Sequence, residues 1–113
     1  MIGYINRDRE VTTENYTEYV GVSVNSISSF NPQEYDLTVT AKKRITNFEM
    51  TVEVFFHNPF NGLYGKDSED ISKTVNFSIA VIESGETVTE RITLEKIMFD
   101  RRFEVISVSG GLD

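Results

Sequence analysis

The side chains with the widest chemical reach lie close together in this chain. His57 is the single histidine. The run Asp67-Ser68-Glu69-Asp70 and then Ser72 follow it. A histidine, a serine and a carboxylate are the parts of a nucleophilic triad. The G-x-S-x-G turn that would expose such a serine is absent. One histidine cannot build a histidine-rich metal site, and with no cysteine it has no thiol to activate. The expected role of His57 is a strand-end residue near the surface, making one hydrogen bond. Acidic loops suit a hard cation such as calcium. This run lacks the spacing and the sixth-position glycine of an EF-hand, so it reads as a solvated loop.

The remaining charged groups carry weaker signals. Lys42-Lys43-Arg44 and Arg101-Arg102 are the basic clusters, with Arg7 and Arg9 near the start and Phe48 and Phe103 nearby. Basic residues interleaved with aromatics can follow a nucleic-acid strand. The whole chain opposes that reading: 18 acids against 11 bases give a net charge of −7. A strongly acidic surface repels phosphate backbones and anionic lipid. Glu49 and Glu53 sit on a polar strand face and read as solvation rather than as a glycosidase pair. Gly62 and Gly65 lack the lysine and hydroxyl of a phosphate loop. No catalytic residue, cofactor or metal is expected, and nucleic acid is not an expected partner. The absence of cysteine also excludes disulfides, cysteine zinc sites and iron–sulfur clusters.

The elements that would position these residues are strands. Val20, Val22 and Val24 alternate with polar residues, as do Tyr35, Leu37, Val39 and Ala41. Phe48, Met50, Val52, Val54 and Phe56 form a third alternating row. A hairpin joining the second and third rows would set Ala41 opposite Met50, Val39 opposite Val52 and Lys42 opposite Glu49. The residues between them are poor for a tight turn, so a wider loop or a crossing to a second sheet is the alternative. Val75, Phe77, Ile79 and Val81 predict another strand. Glu83-Ser84-Gly85-Glu86 turns it, and Val88, Ile92 and Leu94 continue the return in a second hairpin. Glu90 is out of phase there and predicts a bulge or a sheet edge. Phe103, Val105, Ile106 and Val108 predict a last strand ended by Gly110-Gly111. No helix is expected.

Six to seven short strands with turns between them predict an all-β fold, an antiparallel β-sandwich. The strand, Glu-Ser-Gly-Glu, strand pattern resembles immunoglobulin-like sandwiches. The cysteine–tryptophan core of antibody domains is missing, since both residue types are absent. Residues 1–17 are polar and read as an N-terminal arm with one short edge strand. Residues 18–113 read as the single β-sandwich domain.

No apolar run approaches the roughly 18 residues of a membrane span. The first ten residues lack the apolar core of a signal peptide, so cytoplasmic synthesis is expected over secretion. The sequons Asn15-Tyr16-Thr17 and Asn76-Phe77-Ser78 read as chance.

What is left is surface apolarity. Tyr16, Phe55, Phe60, Leu63 and Tyr64 do not belong to one alternating core face, and aromatics of this kind anchor protein interfaces. They are the expected interaction residues of a non-catalytic protein–protein interaction or assembly module. Its partner would be another protein or a further copy of the chain, as in a small structural subunit of a virion, tail or other assembly. Two other readings stand beside it. One is an acidic inhibitor or nucleic-acid mimic acting on a basic partner. The other is a small-ligand or calcium-binding β-sandwich.

Overall fold

Strict alternation puts every second residue on one face of a strand, and such a face must find an apolar partner. In the computed structural model, seven strands satisfy this with two sheets. They are β1 (Glu10–Thr12), β2 (Val20–Ser28), β3 (Gln33–Ala41), β4 (Ile45–His57), β5 (Ile71–Ile82), β6 (Thr87–Leu94) and β7 (Asp100–Leu112). The residues described are 10–28, 32–57, 70–94, 98 and 100–112. A single 3₁₀ turn, Tyr16–Glu18, joins β1 to β2. It is helical structure that alternation does not announce.

One sheet has the order β1-β7-β4-β5 and the other β2-β3-β6. All pairings are antiparallel. The fold is therefore the all-β, two-sheet architecture that the alternation predicts. An immunoglobulin-like order is not confirmed. In the constant-type domain the first strand neighbours the second and the sixth neighbours the seventh. Here β1 neighbours β7, and β6 and β7 lie in different sheets.

The predicted apolar rows are the core. Leu37, Val39 and Ala41 on β3, and Phe48, Met50, Val52, Val54 and Phe56 on β4, are all but fully buried. Tyr35 and Phe56 meet across the two sheets with ring centroids 5.1 Å apart, tilted by 43°. From β1, Val11 joins the same cluster.

Both predicted hairpins are overturned. β3 and β4 lie in different sheets, and so do β5 and β6. Lys42 is not opposite Glu49; its Nζ donates to the Thr17 carbonyl at 3.1 Å. Thr40 pairs with Thr87, their hydroxyls 2.7 Å apart. The two crossings lie side by side and hold each other. Gly85 N–H donates to Ala41 O at 2.7 Å, and Ala41 N–H to Glu86 O at 2.9 Å. Ser84 Oγ donates to Lys42 O at 3.0 Å, and Arg44 pairs with Glu83 at 3.2 Å. Gly85, at φ +85°, supplies the left-handed residue that this turn needs.

Gly110 and Gly111 do not end the last strand. They lie inside β7, opposite Val11 and Glu10 of β1. A Cβ on Gly110 would stand 2.5 Å from Ile45 Cγ2, so the missing side chain is what lets β7 lie against β4 there. Glu90 is on an edge strand without a register shift, which selects the edge over the bulge.

Gly110→Ala is expected to destabilise the fold by about 1–3 kcal/mol, because buried Ile45 has nowhere to retreat. Gly21→Ala has open space around its Cβ and is expected to change stability by less than about 0.5 kcal/mol. Urea midpoints of the two variants would separate these outcomes.

Candidate functional site

One end of the sheet β1-β7-β4-β5 brings the sequence-predicted residues closest together. The buried row of β4 fixes Phe55 and His57 on its outward face, since Val54 and Phe56 point inward. Register sets Arg102 opposite Phe55 on one side and Ser72 opposite it on the other. The Arg102 guanidinium lies over the Phe55 ring, Cζ 4.3 Å from the centroid. It has no carboxylate partner among the described residues. A guanidinium on a phenyl face keeps its N–H groups turned outward for a second ligand.

His57 closes the strand as the sequence led one to expect. Its Nδ1 is 2.8 Å from Asp70 Oδ1. The side chains are 52% and 57% exposed, so solvent screens the pair. Ser72 lines the same concavity of about 590 Å³, with Ile71, Asp100 and Arg101. Its hydroxyl makes no hydrogen bond with His57 among the described residues. A serine without a base in reach is not activated for attack. Nor does any buried side-chain polar atom among the described residues lack a partner. A ligand pocket normally aims such groups inward.

Arg101 is committed elsewhere. It lies over the Tyr35 ring, Cζ 5.1 Å from the centroid, and donates to Val24 O at 3.3 Å. It thus caps a carbonyl on the edge of the other sheet. Lys42-Lys43-Arg44 forms the crossing described above, with Lys43 6.0 Å from the Tyr19 ring centre. Each of these cations thus has a contact within the chain.

Among the expected interaction residues, Phe55 is half-buried beneath Arg102. Tyr16 sits in the 3₁₀ turn and packs on the core. Phe60, Leu63 and Tyr64 lie outside the described residues, as do Asp67, Ser68, Glu69, Arg7 and Arg9. Asp70 is the one member of the acidic run that is described. No group of three histidines or acids that could hold a metal occurs among the described residues. Outward-facing acids occur on both sheets: Glu49, Glu53 and Glu104 on one, Glu34 and Asp36 on the other. The latter two both bind Arg91, and their carboxylates raise its pKa, Asp36 most.

Sequence reasoning missed Gln33, which positions this end. Its buried amide accepts from Met98 N–H and donates to Met98 O, both at 2.8 Å. That clasp fixes the chain two residues before β7 begins. Gln33→Leu leaves two backbone groups of Met98 unpaired. It is expected to cost about 2 kcal/mol or more, read as a lower thermal midpoint with the sheet spectrum retained.

No protein-family model matches this chain, and no curated protein or solved structure is similar to it, so its function is argued from this geometry alone.

Proposed function

We propose that this chain is a non-catalytic protein–protein interaction or assembly module, a small structural subunit that works by binding another protein or further copies of itself. The observation that carries the reading is the Phe55–Arg102 stack. Arginine and aromatic side chains dominate the energetics of protein interfaces. Here the two are joined at the rim of the concavity on the outward sheet face, with no carboxylate on the guanidinium among the described residues.

Two further features support it. Phe103 and Ile106, on the same strand as Arg102, are 38% and 47% exposed. Phe103 lies on the opposite face of β7 from Arg102, so both faces of this strand present side chains of the kinds enriched at interfaces. The His57–Asp70 pair is the only histidine–acid contact among the described residues; it is exposed and does not engage Ser72, which favours binding over catalysis. The division of acids between both sheets gives no single acidic face, so no observation favours a nucleic-acid mimic.

The test is solution mass by size-exclusion chromatography with light scattering, from about 1 µM to about 1 mM chain. A defined species larger than one chain is expected. Phe55→Ala is expected to weaken association by about tenfold or more while leaving the fold intact. A single-chain mass over the whole range would overturn the self-assembling form of the reading.

A further inference from the structure

We infer that two copies of this chain join through the open edge of β7, with Arg101–Val105 of one copy antiparallel to the same residues of the other, about a two-fold axis at Phe103. The inference rests on the assembly reading above and names its surface.

Among the described residues the edge is open, because β1 is short. β1 covers only Ser109, Gly110 and Gly111. At Val108 the ladder stops, and the backbone N–H donates instead to Thr13 Oγ1 at 3.0 Å. The other end of β1 lies at Gly111, pointing away from Asp100. So Asp100–Ser107 has β4 on one side and, among the described residues, no strand on the other. A row of unpaired backbone groups is a template for another strand.

The side chains select a copy of this chain as the occupant. Arg102 and Glu104 are two residues apart and share the outward face. Arg102 has no carboxylate partner among the described residues. Glu104 is worse placed, because its register partner on β4 is Glu53 and like charges stand opposite each other. A closed two-fold across an antiparallel edge must be centred on one residue. Centring on Arg101, Arg102 or Glu104 would set that charge against its own copy. Centring on Phe103 sets Arg102 against Glu104 twice, once on each side of the axis. It also brings the two exposed Phe103 rings together. The register shift between Thr51 and Val52 of β4 marks a bulge at Ile106, which ends the paired segment. The four-stranded sheets of the two copies would then join as one sheet of eight strands.

β5, the other long edge of this sheet, offers no such match. Ile71–Ile82 contains Lys73 and no acid, so a self-pair there would form no ion pair.

The test compares four proteins by the same light-scattering series: the native chain, Arg102→Glu, Glu104→Arg, and the double variant. The native chain is expected to be a two-chain species. Each single swap sets like charges opposite across the axis and is expected to raise the dissociation constant at least about tenfold. The double swap restores both pairs with reversed polarity and is expected to recover dimerisation. Hydrogen exchange of the native chain supplies a readout that needs no variant: the alternate amides of Arg101–Val105 that face away from β4 should gain protection as concentration rises. A native oligomer that Arg102→Glu weakens but Glu104→Arg does not, with no recovery in the double variant and with the edge-facing amides of Arg101–Val105 unprotected, would overturn this edge and leave the assembly reading standing. A single-chain mass throughout would overturn both the edge dimer and the self-assembling reading on which it rests.

Discussion

The apolar rows of β3 and β4 must be buried against something, and they are buried against each other. Leu37, Val39 and Ala41 on one side and Phe48 to Phe56 on the other form the middle of the core. Fully burying one such aliphatic or aromatic side chain is worth about 1.5–3 kcal/mol. Once the two rows face each other across sheets, the chain must cross between sheets after Ala41. It must cross again after Ile82, because β5 pairs with β4 while β6 pairs with β3. The basic and acidic turns that make these crossings then meet, and Arg44 and Glu83 find each other there. The charges in those turns are consequences of the crossing geometry.

This explains what alternation could reveal and what it could not. Period two states which residues share a face, and the buried rows of β3 and β4 were legible residue by residue. It does not state whether the opposing apolar row is a neighbour in the same sheet or lies across the core. In both arrangements apolar meets apolar. The distinguishing signal was turn chemistry. Lys42-Lys43-Arg44 holds no glycine or asparagine for a tight primed turn. That lack left a wider loop or a crossing open, and the structure has the crossing. Glu83-Ser84-Gly85-Glu86 does contain a turn glycine, so the second crossing resembled a hairpin and misled. Gly110-Gly111 misled in the same way. Glycines are read as punctuation, but here Gly110 serves the close approach of Ile45, which a linear sequence does not display.

The candidate site was legible in halves. Phe55 stood out because it breaks the alternation of β4 with a large apolar side chain on the outward face. Its partner Arg102 did not stand out. The two become neighbours only through the β4–β7 register, and nothing local to either residue encodes that pairing. Tyr16 shows the converse. It also escaped the alternating rows, yet it packs on the core through a 3₁₀ turn outside the strand pattern. Escaping the periodicity marks a residue as unassigned by the strands. Only the packing decides whether it faces a partner or the chain's own interior.

The edges carry the last step, because sheets that end in solvent must be kept from pairing at random. β5 has Lys73 in the register that faces inward, opposite Val54. β6 has Glu90 in the equivalent position, opposite Leu37. Both line the open flank between these strands, where a charge aimed into the gap penalises an added strand. β2 shifts register between Ser26 and Ser28, and Arg101 occupies its Val24 carbonyl. The out-of-phase Glu90 and the arginine that a nucleic-acid reading would have claimed thus serve one purpose. Asp100–Ser107 of β7 is different. Its inward-facing cation, Arg101, is spent on β2, and its outward charges are an arginine and a glutamate two residues apart. Such a pair repels itself where the axis falls on either charge and complements itself where the axis falls between them. An edge built that way restricts pairing by selecting its partner, whereas the other three exclude partners altogether.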